Sequence, residues 1–336
     1  MKQLKNYLIL AFVLILTGIN LYAKSECVEG DCINGKGKYV FSNKAVYEGE
    51  FADGKITGKG VYIDKKGDKY EGEFNDAKLN GKGKVTYKTG IIAEGDYKDN
   101  LLDGQGTIIT KKGDKYTGEF SKGKKNGQGE FIFASGEKYT GMFQDDFPDG
   151  EGVFNYKNGS SFTGTFVKGK PSGKGTYRDA GGDSFTGTFS NGKLNGKGVA
   201  LLKNGGRYEG NFVNSAMSGQ GSFVDKEGNQ YVGDFKNGKL NGKGKVTFIN
   251  GEIFEGTFVN DILHGKGKHT SKNGAVYEGN FKKGKYDGKG TYNVPGKFKY
   301  DGDFKDGAFH GNGTVYRPDG KEDRKGKFIK GKFQEK

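Results

Sequence analysis

The three histidines, His264, His269 and His310, are the residues of this chain best suited to proton transfer or metal binding. His264 and His310 each stand just before a Gly-x-Gly pair and lie two intervals of 23 residues apart. If each interval forms two strands of a sheet, these two residues are roughly 19 Å apart, too far to share a metal ion. Other intervals carry Asn, Asp or Ser at this position, which is typical of turns. We therefore expect surface histidines in turns, and we predict no metal site.

The acidic residues do not form a site either. Asp145, Asp146 and Asp149 could hold a calcium ion loosely, but they lack the spacing of a calcium-binding loop. Glu48 and Glu50 recur along the chain, so they predict a repeated polar face and not a unique catalytic pair. The Gly-Lys-Gly strings lack the helix and the Gly-Lys-Ser/Thr ending of a phosphate-binding loop. The sequence predicts that the protein is not an enzyme and binds no cofactor; a catalytic site hidden in a groove is the alternative.

The only two cysteines, Cys27 and Cys32, bracket four residues just ahead of the first Gly-x-Gly pair. One close pair of cysteines in an exported chain favours a disulfide bond. A loop this small gives modest entropic stabilisation, so we expect the bond to pin the first strand as an N-terminal cap. A Cys-x4-Cys metal site is the alternative, although no histidine or further cysteine is nearby.

Residues 1–23 have the features of a secretory signal peptide. They begin with two lysines, continue with an apolar run over residues 7–16, and end at a small residue, Ala23. The apolar run is shorter than the ~20 residues that span a membrane, and an uncleaved anchor is the alternative. The residues before Cys27 do not form the small-residue box of a lipoprotein. We predict export, with a periplasmic, envelope-associated or secreted product.

The rest of the chain repeats with a period of 23 residues. We number repeat positions from Tyr47 as position 1. Position 3 is Gly and position 5 is aromatic in all twelve repeats, and a second glycine pair follows at positions 12 and 14. The register slips by one residue only near the C-terminus, in RKGKF from Arg324 to Phe328. Position 1 is aromatic in every repeat but one: Tyr47, Tyr70, Ala93, Tyr116, Tyr139, Phe162, Phe185, Tyr208, Tyr231, Phe254, Tyr277 and Tyr300.

This pattern predicts an all-β fold. Alternation with period two places positions 1, 3 and 5 on one face of a strand and the polar residues between them on the other. Turn-forming runs separate two such strands in each repeat, so each repeat is a β-hairpin. Glycine between aromatic residues would leave room for a ring to lie flat on the sheet. We predict an elongated, single, twisted antiparallel sheet of tandem 23-residue β-hairpin repeats.

Composition agrees with a sheet that has no thick core. Only 32% of residues are hydrophobic, and 63 of 336 are Gly, whereas globular domains carry nearly half apolar residues. Disorder is the competing interpretation of a Gly-rich, charged chain. However, a disordered chain has no reason to hold aromatic residues in register.

The YEGEF motif followed by KLNGKG resembles the MORN (membrane occupation and recognition nexus) repeat. KLNGKG stands at Lys193–Gly198 and again at Lys239–Gly244. The resemblance implies an elongated β-hairpin sheet used as a scaffold or membrane-associated adaptor. On this basis we divide the chain into a signal peptide (1–23), an N-terminal cap with the cysteine pair (24–46), twelve tandem repeats (47–322) and a C-terminal cap with a basic tail (323–336).

Positive charge is concentrated near the C-terminus. Without residues 1–23 the chain has 53 basic and 41 acidic residues, net +12, and residues 262–336 alone account for net +9. One interpretation is that the lysines keep an open sheet soluble and its edge unpaired. The alternative is that the C-terminal quarter docks on an anionic partner. The residues predicted for such docking are Lys266, Lys282, Lys283, Lys285, Lys289, Lys297, Lys299, Arg324, Lys325, Lys327, Lys330 and Lys332.

These features predict a non-enzymatic scaffold exported to the cell envelope, where it binds a protein, an anionic lipid or an envelope polymer. The alternative is a purely structural envelope spacer or assembly component without a discrete ligand. Export argues against nucleic acid as the partner, and the sequence does not determine the oligomeric state.

Overall fold

The computed structural model describes residues 25–335, and this part of the chain is all-β. It contains no helix that could cross a lipid bilayer. The predicted signal peptide, residues 1–23, lies outside the described residues. The chain divides into two units, one ending at Gly173 and the other beginning at Lys174.

Twenty-eight strands follow one another along the described chain. The strands of the first unit are β1 (Glu26–Gly30), β2 (Lys36–Val40), β3 (Val46–Ala52), β4 (Lys55–Ile63), β5 (Lys69–Asn75), β6 (Lys78–Thr86), β7 (Ile92–Lys98), β8 (Leu101–Ile109), β9 (Lys115–Ser121), β10 (Lys124–Ile132), β11 (Lys138–Gln144), β12 (Phe147–Asn155) and β13 (Ser161–Val167). The unit boundary falls within β14 (Lys170–Arg178). The strands of the second unit are β15 (Ser184–Ser190), β16 (Lys193–Leu201), β17 (Arg207–Val213), β18 (Ala216–Val224), β19 (Gln230–Lys236), β20 (Lys239–Thr247), β21 (Ile253–Val259), β22 (Ile262–Thr270), β23 (Val276–Lys282), β24 (Lys285–Val294), β25 (Phe298–Lys305), β26 (Ala308–Tyr316), β27 (Glu322–Ile329) and β28 (Lys332–Phe333).

Consecutive strands pair antiparallel from β1 through to β13 in the first unit. They do the same from β15 through to β28 in the second unit. Two-residue turns close one end of the hairpins. At the first of them, Asp53 and Gly54 have φ of 48° and 72°, the left-handed pair that matches the twist of a hairpin. This arrangement confirms the predicted all-β fold of tandem 23-residue hairpins.

The hairpin of β3 and β4 contains a bulge that recurs in later repeats and gives one of its glycines a special role. Gly49 pairs with Gly60 and Phe51 pairs with Ile56, so Glu50 alone faces three residues of the opposite strand. The middle one, Gly58, has φ of 62°, a conformation that favours glycine. The two glycines of the second pair have different roles: Gly58, at position 12, forms the bulge, and Gly60, at position 14, makes room for a ring.

The ring face carries the core of the sheet. The Tyr47 ring lies over the backbone, and a Cβ added at Gly60 would stand 2.6 Å from its Cε2. The Tyr47 hydroxyl donates a hydrogen bond to the carbonyl oxygen of Glu50 at 3.2 Å, and burial raises the pKa of Tyr47 to about 12. Phe51 of the same repeat and Phe74 of the next repeat pack edge-on against this ring. Aromatic contacts therefore link successive repeats.

Some repeats place leucine over the glycines instead of tyrosine. A Cβ at Gly83 would lie 2.7 Å from Cδ2 of Leu79, while Tyr70, at position 1 of that repeat, is only half-buried. Leu194 and Leu240 are likewise fully buried beside half-buried aromatic residues at position 1. One glycine pair has room for one large side chain, so leucine at position 10 displaces the aromatic residue at position 1.

The first and last strands of the described residues differ in how they are held. Cys27 and Cys32 lie at disulfide distance with their Cα atoms 6.1 Å apart, and Cys27 stands opposite Tyr39 in the pairing of β1 with β2. At the C-terminal end, a register shift between Val315 and Tyr316 absorbs the one-residue slip in phase. Phe328 consequently packs edge-on against Tyr300, with 5.1 Å between ring centroids.

Candidate functional site

The histidines do not converge on a site. His264 and His310 lie in the strands just after two-residue turns, at position 11, and His269 lies on the ring face. His269 stacks on Phe254 with 4.1 Å between centroids, and its Nδ1 is 2.5 Å from the Tyr286 hydroxyl. Burial lowers the pKa of His269, against the opposing effect of Glu252, so the ring is a neutral packing element at neutral pH.

The acidic group near residue 145 takes part in turn structure. Asp145 and Asp146 form a two-residue turn, with φ of 48° and 73°. Asp145 lies 2.9 Å from the ammonium of Lys124, and Asp146 accepts a hydrogen bond from the backbone N–H of Lys125 at 3.1 Å. Asp149 accepts one from the N–H of the next turn, 3.1 Å away. Across residues 25–335, no group of three or more His, Cys, Asp or Glu residues is placed to hold a metal ion.

The polar face varies in charge between repeats. We call the residues at positions 4 and 13 the charge row, because they lie side by side across consecutive strands. From β2 to β9 of the first unit, the charge row places a lysine or glutamine opposite a carboxylate. The cross-strand partners there are Lys36 with Glu50, Lys59 with Glu73, Lys82 with Asp96, and Gln105 with Glu119. Beyond β9, Gln128 lies opposite Met142 and Glu151 opposite Thr165.

Position 4 has a structural role as well as a charge. Glu50 accepts a hydrogen bond from the backbone N–H of Lys59 at 3.1 Å, and Asp96 accepts the same bond from Gln105. These bonds satisfy an N–H group that the bulge leaves without a strand partner. Asp96 also lies 2.6 Å from the ammonium of Lys82, and this hydrogen bond lowers the pKa of Asp96.

In the second unit, the charge row keeps its lysines and loses most of its carboxylates. Lys243 stands opposite Thr257, and Lys266 stands opposite Asn280. Asn280 still bridges its bulge, donating from Nδ2 to the carbonyl oxygen of Lys289 at 3.4 Å. Lys289 is the exception, since Asp303 lies opposite at 3.8 Å. The amide therefore keeps a bulge hydrogen bond while leaving Lys266 without an opposite carboxylate.

The hairpin turns show the same exchange of aspartate for asparagine. In the first unit Lys78 reaches Asp99 at the next turn, 3.0 Å away. The equivalent pair in the second unit is Lys239 and Asn260. The carboxylate of that turn stands one residue later, at Asp261, where it accepts a hydrogen bond from the N–H of Leu240 at 2.7 Å. At position 7 the turn residues of the first unit are Asp53, Asp76, Asp99, Lys122, Asp145 and Lys168, and those of the second unit are Asn191, Asn214, Asn237, Asn260, Lys283 and Asp306.

Lysines also face each other directly across two hairpins of the second unit. Lys236 is the strand partner of Lys239, and Lys282 is the partner of Lys285. Like charges directly opposite each other destabilise a sheet. The corresponding pairs of the first unit, such as Ser121 with Lys124, contain at most one lysine. Repulsion of this kind is relieved when an anion binds between the charges.

The structure brings together only part of the predicted basic set. Lys266, Lys289 and Lys327 lie in the charge row, and Lys325 lies beside it on the polar face. Lys282, Lys283, Lys285, Lys330 and Lys332 surround two-residue turns at one end of the hairpins. The remaining three, Lys297, Lys299 and Arg324, lie toward the opposite end.

Sequence reasoning also missed three residues of this surface. Lys236, Lys239 and Lys243 precede residue 262, where net charge counted along the chain begins to rise, yet they continue the same surface. Comparison by repeat position could have revealed Lys243, because Lys243, Lys266 and Lys289 all stand at position 13.

Comparison with solved structures finds weak similarity. The chain is similar to the SAS-4 (dCPAP) TCP domain of Drosophila melanogaster in complex with a proline-rich motif of Ana2, at 15% identity over 56% of this chain and 90% of that one, with a TM-score of 0.29. It is similar to the wild-type TCP10 domain of Danio rerio CPAP at 12% identity over 73% and 99%, with a TM-score of 0.24. A virginiamycin B lyase from Staphylococcus aureus matches at 10% identity over 81% and 96%, with a TM-score of 0.15. These scores support no argument about function, and no curated protein matches the chain in sequence.

The family comparison is decisive. The model of the MORN repeat matches thirteen segments, which are 33–46, 47–69, 70–91, 94–115, 116–138, 139–161, 162–184, 185–207, 208–230, 231–253, 254–276, 277–293 and 300–322. Together they cover most of the chain, in the same register as the hairpins. The chain belongs to the MORN repeat family.

Proposed function

We propose that this protein is a non-enzymatic scaffold, exported to the cell envelope, whose second unit docks on an anionic partner. The observation that carries the proposal is that lysines of the charge row in the second unit lie opposite neutral residues. Lys243 and Lys266 face Thr257 and Asn280, where the first unit has Glu or Asp opposite lysine. Phospholipid headgroups and acidic envelope glycans share the chemistry that this surface fits, namely negative groups presented side by side.

The exposure of the lysines supports contact with a partner. Lys243, Lys266 and Lys289 are exposed, and each lysine close to an anionic surface contributes about 1 kcal/mol to binding. An exposed ion pair contributes about 0–1 kcal/mol, so Asp303 weakens the contribution of Lys289 only in part. Several lysines acting together give an attraction that falls steeply as salt rises.

The first unit favours the second candidate function, a structural spacer. Its charge row pairs lysines with acids, as at Lys82 and Asp96, and such a surface has little net attraction for an anion. Residues 25–100 carry 13 basic and 14 acidic residues. The proposal therefore assigns binding to the second unit. It assigns to the first unit the role of a spacer between the second unit and other components.

The test restores the acidic pattern to the second unit. Thr257→Glu with Asn280→Asp places carboxylates opposite Lys243 and Lys266, at positions where the fold accepts them elsewhere. The control, Met142→Glu with Thr163→Glu, adds the same charge to the polar face of the first unit. Binding of the full chain to vesicles with 30% acidic phospholipid, or to acidic envelope glycan, is measured by co-sedimentation at about 0.15 M salt.

We expect the second-unit variant to bind at least about tenfold more weakly, because each added carboxylate cancels about 1 kcal/mol of attraction. The control should bind like the original protein. Equal loss in both variants, or no binding by the original protein to any anionic probe, contradicts the proposed docking. Export is tested separately by cell fractionation, and retention of the protein in the cytoplasm contradicts the envelope location.

A further inference from the structure

Three lysines of the charge row form a regular series. Lys243, Lys266 and Lys289 occupy the same repeat position on β20, β22 and β24. Neighbouring strands are about 4.8 Å apart, so successive backbones of this series are separated by about 9.6 Å. All three side chains are exposed, and that of Lys289 is 87% accessible. The series therefore presents positive charge at a fixed interval.

Neutral hydrogen-bonding groups stand between the charges. Thr257 lies on β21 between Lys243 and Lys266, and Asn280 lies on β23 between Lys266 and Lys289. A hydroxyl or an amide can both donate and accept hydrogen bonds. The surface thus alternates between a cation and a group that binds hydroxyls.

Carboxylates mark both ends of the series. Asp234 on β19 accepts a hydrogen bond from the N–H of Lys243 at 3.1 Å, and Asp303 on β25 lies 3.8 Å from Lys289. Beside the row, Lys245 is already paired with Glu255 at 2.8 Å. Negative charge at each end disfavours extension of an anionic ligand beyond the three lysines.

From this spacing we propose that the series binds a linear anionic polysaccharide with one carboxylate or phosphate per disaccharide, lying across the strands. The inference rests on the proposed function and names its partner. One disaccharide of an extended glycan is close in length to the interval between lysines, and its hydroxyls would meet Thr257 and Asn280. Lipid headgroups diffuse independently and gain nothing from a fixed interval, so the glycan fits this pattern better than a bilayer does.

The test measures affinity against ligand length. Hyaluronan oligosaccharides, which carry one carboxylate per disaccharide, are titrated into the full chain by calorimetry at one, two, three and four disaccharides. We expect up to about fivefold tighter binding for each added disaccharide up to three, since each engages one more lysine, with the smaller gain at Lys289 because Asp303 lies opposite. The fourth should add less than twofold because no further lysine is in series. The same acidic vesicles serve as the second probe.

A matched pair of variants locates the site. Lys266→Gln removes the central charge and should weaken binding of the three-disaccharide ligand about fivefold. Lys197→Gln removes an exposed lysine at the same repeat position outside the series and should change it less than twofold. Equal losses from the two variants, or affinity that does not level off after three disaccharides, overturn the inference.

The two proposals can fail separately. Binding to acidic vesicles without binding to any oligosaccharide overturns the polysaccharide and leaves the proposed anionic docking in place. Failure to bind either probe overturns both. Length-dependent binding that is lost in Lys266→Gln and retained in Lys197→Gln supports both.

Discussion

The two units have polar faces of different charge on the same hairpin backbone. In the first, Asp96 both bridges a bulge and pairs with Lys82. In the second, Asn280 bridges its bulge but brings no charge to Lys266. The side chain at position 4 therefore has two separable roles, a hydrogen bond across the bulge and a negative charge opposite lysine. Either a carboxylate or an amide can make the hydrogen bond, but only the carboxylate brings the charge. The charge of the face can change along the chain while the fold does not.

The largest expected effect tests whether the scaffold is the same in both units. Gly129→Ala in the first unit and Gly221→Ala in the second would each place a Cβ 2.6 Å from Cε2 of a tyrosine ring, that of Tyr116 or Tyr208. Both rings are held by edge-on phenylalanines, so we expect a loss of about 3 kcal/mol for each variant. Denaturant unfolding measures it.

The control for these variants is Gly159→Ala, where φ is 86° and no atom lies within 4 Å of the added Cβ. It should cost only about 1 kcal/mol, from backbone strain alone. A Gly221→Ala variant that is as stable as the original protein, beside a strongly destabilised Gly129→Ala variant, would break the equivalence of the two units.

A smaller effect concerns the carboxylate that the second unit lacks. Asp96→Asn removes the ion pair with Lys82, and we expect it to cost less than about 1 kcal/mol at pH 7 because the pair is exposed. The hydrogen bond from Lys82 lowers the pKa of Asp96 in the folded protein. The stabilisation is thus present above the unfolded value of about 3.9 and is lost as the pH falls through the lower folded pKa.

Unfolding free energies of the original protein and Asp96→Asn should therefore converge on acidification below about pH 4. Asn280→Asp in the second unit should acquire the same pH dependence, because it gains a carboxylate opposite Lys266. A difference between the original protein and Asp96→Asn that does not change down to the acid transition would refute this role for the charge.

The smallest expected change in stability comes from exchanging aspartate and asparagine at equivalent turns of the two units. Asp99→Asn removes the pair with Lys78, and Asn260→Asp supplies the equivalent pair with Lys239. We expect about 0.5 kcal/mol of destabilisation in the first case and a similar gain in the second. Both residues keep the left-handed turn, with φ of 49°. Thermal unfolding at low and high salt measures the exchange, and two changes of the same sign would show that turn charge is not what distinguishes the units.

The sequence predicts the hairpins and their two faces well, because an unbroken period of 23 and a strand alternation of two leave few arrangements open. Tyr47, Gly49 and Phe51 share the ring face as predicted. Position 1 alone does not predict which side chain lies over the glycines. In the second repeat, Leu79 occupies the space over the glycines that Tyr70 would otherwise fill. Which side chain prevails depends on packing between two strands.

Predicting the cross-strand partners in the charge row requires the register of the sheet as well as the strand alternation. Two extra residues in each bulge offset the strands, so alternation alone does not tell that Lys243 lies opposite Thr257. Counting charge along the chain placed the basic surface after residue 262 and included Arg324, which lies away from the charge row. The three lysines of the series become apparent only when residues are compared by repeat position.

The hydrogen bonds between turns and preceding repeats have a consequence for how the chain folds. The N–H of Gly54 donates to Ile33, that of Asn100 to Leu79, and that of Gly238 to Met217, so each contact closes a loop of about one repeat. Proteins built from such local contacts fold fast, because little loop entropy is lost before a contact forms. Each hairpin can therefore add to the one already formed. A protein assembled in this way can lengthen or shorten by whole repeats without a new folding problem.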